Sequence, residues 1–379
     1  MAKNPLAQLA ETGQSVWYDL MERALITSGK LQKLIEEDEL RGLTSNPTIF
    51  EKAIGGSDDY DDSLRELAEK DASTDEIYES LVVNDISNAA DVFRPVYDRT
   101  NRVDGYVSLE VSPNLAHEGE ATLAEAKKLW GLLGRPNAMI KIPATEEGIP
   151  AVQEAIASGI NVNITLIFSR DVYDKVIEAY MRGLERRVEQ GQPVDTIASV
   201  ASFFVSRIDA AADKELNERI QKATTAEERQ ELSSLLGKVA IANAKLAYQL
   251  FQDRFSSERF AKLKAKGAQV QRPLWASTGT KDPRYSDVLY IEELIGPDTV
   301  NTIPPKTYDA FRDHGTVSIT LDKNVDEATD VLRRLEAAGV SLDDITRRLT
   351  ADGVKSFADS FTSLIKTIDT RRAAEVARS

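Results

Sequence analysis

Eight short apolar runs punctuate this chain, and segments with helical spacing fill most of the gaps between them. The runs cover residues 15–20, 42–45, 106–112, 138–144, 161–168, 196–205, 272–277 and 300–303. Strands buried on both faces and alternating with helices build a parallel sheet with helices outside it. Eight such units predict an α/β protein, a closed (β/α)8 TIM barrel, although a doubly wound open sheet produces a similar pattern. No G-x-G-x-x-G follows the first run, which counts against a dinucleotide-binding sheet.

The segments between runs carry the helical signature. Over 171–190, Val172, Val176, Ile177, Tyr180 and Leu184 recur at spacings of three and four, with Ser169 as a candidate N-cap. A barrel needs only about 250 residues, and this chain has 379. The surplus falls in two places. A charged, Ala-rich insertion at 216–267, interrupted at Thr224/Thr225 and Ser256/Ser257, predicts two or three helices. A helical extension at 326–379, with breaks near Gly339 and Gly353, is expected to pack over the barrel. The expectation is one domain over 1–379.

Composition narrows the chemistry. There are no cysteines, which excludes disulfides, thiolate catalysis and Cys-ligated metals. Only two histidines occur, His117 and His314, too few for a multi-His zinc site, so acid–base work falls to Lys, Asp, Glu, Thr or Tyr. A formal net charge of −15 disfavours nucleic acid and anionic membranes as partners. It leaves room for a small phosphorylated substrate, because local basic residues override distant charge. No signal-peptide pattern and no bilayer-spanning run is present, so a cytoplasmic protein is expected; homo-oligomerisation is left open.

Against this background, charged residues inside apolar runs stand out. Lys141 sits within Met139-Ile140-Lys141-Ile142-Pro143, sharing a strand face with Met139 and Pro143. An amine in such a wall loses solvation, which favours its neutral, nucleophilic form; alternatively, it reaches solvent or pairs with a carboxylate. Asp19 ends Val16-Trp17-Tyr18-Asp19, and Glu110 lies in Val107-Ser108-Leu109-Glu110-Val111. Either alone reads as a cap or an ion-pair partner. Three ionisable groups from three strands must meet each other or a ligand, since burying them unpaired is costly. A lysine with two carboxylates is suited to imine chemistry.

Further polar residues follow the same logic. Thr44 and Asn46 lie where a run ends at Pro47; Asn161, Asn163 and Thr165 share one strand face. In a barrel with helices outside, that face points inward. Arg207 stands near a predicted helix start after Ser202-Phe203-Phe204, a setting that favours an anion. The loop Ser277-Thr278-Gly279-Thr280-Lys281 is small and hydroxyl-rich, reading as an ordinary turn or as a phosphate loop after a late strand.

Thr44-Ser45-Asn46-Pro47 resembles the T-[ST]-N-P signature of the transaldolase family, and Ile140-Lys141-Ile142-Pro143-Ala144-Thr145 resembles the segment around its Schiff-base lysine. The likeness runs from Asp19 to about His314 and is closest to the longer bacterial members. It implies a (β/α)8 barrel, no cofactor and no metal. It also implies transfer of a dihydroxyacetone unit from sedoheptulose 7-phosphate to glyceraldehyde 3-phosphate, in the non-oxidative pentose phosphate pathway. By the match of motifs, Lys141 would form the imine and Asp19 would act on the hydroxyl proton during cleavage. Glu110 and Thr165 would hold the water used in proton transfer. Thr44, Asn46 and Asn163 would bind the dihydroxyacetone hydroxyls, with Ser202 as a further hydroxyl and Arg207 at the phosphate. The chain departs from the family after the seventh run. There a serine and an arginine two residues apart are usual, but Ser277 is followed by Thr278 and Gly279, leaving Ser277 and Lys281 to share the phosphate role. A Schiff-base aldolase that releases free dihydroxyacetone, and a non-catalytic sugar-phosphate-binding barrel, are the competing readings.

Overall fold

A computed structural model describes residues 4–376. All eight apolar runs form strands: β1 (Gln14–Tyr18), β2 (Gly42–Leu43), β3 (Tyr106–Glu110), β4 (Ala138–Pro143), β5 (Val162–Ile167), β6 (Ser199–Phe204), β7 (Arg272–Ala276) and β8 (Thr299–Ile303). They pair in parallel in chain order, and β1 closes on β8, so the open-sheet alternative is excluded. Every residue of these strands is buried. That explains continuous apolar runs rather than alternation: one face meets the helices and the other fills the barrel. Register aligns Glu110 with Lys141, Lys141 with Asn163 and Pro143 with Thr165. The polar residues singled out on neighbouring strands therefore come to adjacent levels.

Two local features shape the upper rim. At β2, Gly42 is required because a Cβ there would meet the Trp17 ring at 2.5 Å. In β5 the register with β6 shifts between Ile164 and Ile167, and Leu166 adopts a left-handed φ of 59°. A bulge of this kind bends the strand and re-aims its side chains, and a leucine holds this conformation only when its surroundings enforce it.

The helical expectations hold in part. The helix Arg170–Glu189 is present, with Ser169 Oγ accepting a hydrogen bond from the Val172 N–H. The insertion is more finely divided than expected. The helix Ser206–Lys222 starts directly after β6 and runs into it, followed by Ala226–Ser233, Val239–Phe255 and Glu258–Lys264. The breaks at 223–225 and 256–257 occur as read. A further break at 234–238 follows Ser233/Ser234 and contains Gly237 (φ 70°), a signal left out of the expected breaks; it is held by the Asp213 carboxylate accepting from the Gly237 N–H at 3.0 Å.

The C-terminal extension breaks at Gly339 (φ 76°) but not at Gly353. Instead a 35-residue helix, Leu342–Val376, runs through Gly353. Glycine weakens a helix interior, but here its missing side chain admits Leu166, since a Cβ at residue 353 would lie 2.8 Å from Leu166 Cδ2. At 1.5 Å per residue the helix is about 50 Å long, enough to cross the barrel rim from the Ser206–Lys222 helix to the helices Pro47–Gly56 and Asp61–Glu69. Thr48 Oγ1 and Ser360 Oγ, 2.9 Å apart, and the edge-on pair Tyr78–Phe361 fix its far half. Among the described residues, no helix is long and apolar enough to cross a membrane.

Candidate active site

A cavity of about 320 Å³ opens at the carboxyl ends of the strands, the end at which barrel enzymes carry out chemistry. Lys141 rises into it from β4 and is only 5 % exposed. Its Nζ donates to the Ser45 carbonyl at 3.1 Å and lies 3.2 Å from Glu110 Oε2. The Phe357 ring, from the C-terminal helix, has its centroid 5.7 Å from Nζ. Burial pushes the Glu110 carboxyl above its ordinary pKa, and Lys141 pulls it back. Beyond its ion pair with Lys141, Glu110 Oε2 has no hydrogen-bond partner in the protein, and the buried Thr165 Oγ1 on the same wall has none at all. These polar atoms stand ready for a substrate or a water.

Asp19 follows β1, whose register is extended by its N–H donating to the Ile303 carbonyl at 3.0 Å. Its carboxylate accepts from Thr44 Oγ1 at 2.7 Å, and Thr44 Oγ1 lies 2.6 Å from Thr302 Oγ1. Enclosure by the protein raises the Asp19 pKa, opposed by Lys141, by the Thr44 hydrogen bond, and by Arg207 and Lys281. The site therefore holds an amine beside two carboxylates, and burial has raised the proton affinity of the carboxylates, the equipment for moving protons.

The outer part of the cavity is basic. Arg207 lies in the first turn of the helix Ser206–Lys222, its guanidinium carbon 5.3 Å from the Phe204 ring centroid. Lys281 follows on the loop after β7 and lines the same cavity. That loop is joined to the helix start by Ser206 N–H donating to the Ser277 carbonyl at 3.0 Å and by a 3.0 Å contact between the two hydroxyls. Ser277 adopts a left-handed φ of 56° to do so. Below it, Tyr285 donates to Asp213 at 2.6 Å and Tyr290 to Asp209 at 2.8 Å. These bonds anchor the loop to the helix, so Arg207 and Lys281 are held on a common frame. Burial lowers the pKa of both cations.

A lysine, two carboxylates and a basic outer wall at the mouth of a closed barrel match what the motifs imply, and comparison with known proteins agrees. The family model described as Transaldolase/Fructose-6-phosphate aldolase matches residues 16–368. The chain belongs to this family. It is 46 % identical over 371 residues to a transaldolase of Trichodesmium erythraeum, covering 97 % of this chain and 98 % of that one. It is 48 % identical over 366 residues to a transaldolase of Frankia alni, covering 96 % of each. It is also 48 % identical over 372 residues to a transaldolase of Thermobifida fusca, covering 98 % of this chain and 99 % of that one. The chain is thus a transaldolase-family enzyme, a transferase of aldehyde or ketone groups.

Of the candidate residues read from the sequence, Lys141, Asp19, Thr44, Asn46, Thr165, Ser202, Arg207, Ser277 and Lys281 line the cavity. Glu110 touches it through Lys141. Asn46 also caps the helix Pro47–Gly56, its side chain accepting from the Ile49 N–H. Asn163 stands apart. Its amide donates to Ser108 Oγ at 3.0 Å and accepts from Ser202 Oγ at 2.7 Å. It lies outside the residues that line the cavity, in a hydrogen-bonded chain across β3, β5 and β6. Several lining residues escaped sequence reading, among them Lys52, Thr302, Ser356 and Phe357. Thr302, a polar residue inside the apolar run 300–303, carried a usable signal. Phe357 carried none, because nothing local shows that a helix some 200 residues downstream returns to Lys141.

A larger groove of about 1220 Å³ lies between the helices Ser206–Lys222, Ala226–Ser233, Val325–Ala337 and Leu342–Val376. It is open and lined with charges of both signs, two pairs of which join across it, Arg348–Glu215 at 2.7 Å and Arg334–Glu231 at 2.5 Å. None of the buried ionisable groups described above reaches it.

Proposed function

We propose that this enzyme transfers a dihydroxyacetone unit between sugar phosphates through an imine on Lys141. The donor ketose carbonyl condenses with the Lys141 amine and loses water. The resulting iminium is an electron sink: the C3–C4 bond breaks, its electrons pass into the imine, and the C4 hydroxyl proton goes to the Asp19 carboxylate. The aldehyde leaves, and an acceptor aldehyde then reverses the steps. Glu110 and Thr165 hold a water that relays protons during dehydration, supported by their unbonded oxygen atoms beside Lys141. Thr44, Asn46 and Asn163 recognise the dihydroxyacetone hydroxyls with Ser202, Asn163 acting through its bond to Ser202. Arg207, Ser277 and Lys281 take the phosphate. The physiological donor and acceptor are sedoheptulose 7-phosphate and glyceraldehyde 3-phosphate, yielding erythrose 4-phosphate and fructose 6-phosphate in the cytoplasm.

The observation that carries this reading is the buried Lys141 amine, 3.2 Å from Glu110 in the cavity that Asp19 lines. Trapping tests it. Fructose 6-phosphate followed by borohydride should leave a reduced adduct on the Lys141 peptide, absent from Lys141→Ala. An adduct on another lysine, or none, would overturn it. The family's name also covers an aldolase that releases dihydroxyacetone. The C-terminal helix over the mouth favours transfer, because excluding water preserves the intermediate until an acceptor arrives. Product analysis with and without erythrose 4-phosphate separates the two.

A further inference from the structure

In the helix Pro47–Gly56, Thr48, Ile49 and Lys52 all line the cavity. A spacing of one and four residues puts them on one helical face. Asn46 starts this helix and Thr48 bonds to Ser360 on the C-terminal helix, so the face is fixed toward the mouth. Lys52 thus approaches the cavity from the side of the barrel opposite in chain order to Arg207 and Lys281. Among the described residues, none of these three cations has a carboxylate within 4 Å, although the chain carries 62 acidic residues against 47 basic ones. Elsewhere in the molecule, basic side chains are commonly paired: Arg259 with Glu178 and Glu185, Arg312 with Asp38 and Glu37. Lys281 feels both Arg207 and Lys52 as like charges. Three cations around one opening, repelling each other, are relieved by an anion of more than one charge, and a phosphate monoester carries close to two negative charges at pH 7.

We infer that Lys52 is a third phosphate anchor, completing with Arg207 and Lys281 the cation set left short by Gly279 after β7. A lysine on a flexible stem supplies charge where the planar arginine fork is absent. This rests on the proposed phosphate site at Arg207, and it makes Lys52 a determinant of selectivity for phosphorylated over plain sugars. It is exposed, so substituting it removes charge without opening the core.

The test compares Lys52→Met, Lys52→Arg and Arg207→Met with fructose 6-phosphate and with fructose as donors, and with inorganic phosphate as inhibitor. In Lys52→Met, KM for fructose 6-phosphate and the inhibition constant of phosphate should each rise about tenfold, the loss of one charge-assisted contact. KM for fructose should not follow, and Lys52→Arg should restore most of the loss. If Arg207→Met shows this split and Lys52→Met does not, the role of Lys52 is wrong while the phosphate site stands. If neither shows it, the phosphate site itself is misplaced.

Discussion

At the amino ends of the strands, Arg272 is buried with its guanidinium donating to Ser15 Oγ at 2.8 Å, Asp104 Oδ1 at 2.9 Å and the Val103 carbonyl at 2.7 Å. The other Asp104 oxygen accepts from Ser15 and Arg41. At the carboxyl ends, Lys141 and Glu110 are as deeply buried, yet Lys141 is the one partner of Glu110 Oε2 and the Thr165 hydroxyl makes no hydrogen bond. One barrel therefore buries charge twice. Below, the carboxylate is saturated from within the protein, which closes the barrel and fixes β1, β3 and β7 against one another. Above, hydrogen-bonding capacity is held back, and burial raises the proton affinity of both carboxylates. A buried ion pair is evidence of catalysis only when its capacity is left open in a cavity; a saturated one is architecture.

Removing the central cation from each end should break the two in different ways. Lys141→Ala should abolish transfer, by on the order of 10⁴-fold or more, with a modest change in unfolding midpoint. Glu110, already pushed toward its neutral form, can take up a proton instead of staying charged. Arg272→Ala should do the reverse. It leaves Asp104 short of its main partner, and unfolding in denaturant should be easier by about 3–5 kcal/mol. The folded fraction should keep a near-normal turnover. A fully stable but inactive Arg272→Ala would erase the distinction.

The contrast sharpens at the rim. Gly353→Ala drives a methyl into Leu166 and should cost about 1–3 kcal/mol of overpacking. By lifting the C-terminal helix it should also raise dihydroxyacetone release relative to transfer. Unchanged partitioning would show that the helix does not seal the mouth. The smallest effect concerns Asp209, which helps hold the loop after β7 and whose pKa burial pushes up to about 7. Its folded pKa exceeds its unfolded one, so the folded state holds the proton longer. Stability from this group is full below about pH 4 and declines as pH rises toward 7. Asp209→Asn should remove that slope, at most about 1.4 kcal/mol per pH unit, and a constant difference from the parent between pH 4 and 7 would refute it.

Much of this was legible along the chain because barrels write themselves locally. A strand covered on both faces is a run of apolar residues, and a charged residue inside such a run has few inexpensive reasons to be there; hence Lys141, Glu110 and Asp19. A cap such as Ser169 is equally local. Arg272 begins an apolar run just as Lys141 interrupts one, and the sequence does not tell a saturated charge from an open one. Asn163 shows the same limit, since its strand face was correct but its amide is already committed to Ser108 and Ser202.

The order of elements, the eight strands, the shared faces of the runs holding Lys141 and Asn163, and the family came from the sequence by itself, because periodicity and motif spacing are properties of neighbouring residues. Tertiary structure alone decided which hydrogen bonds remain unmade at Lys141, that Gly353 is a contact and not a break, and that Phe357 and Lys52 reach the mouth. Those depend on distances between residues far apart in the chain, and such distances exist only once the barrel has closed and the last helix lies across it.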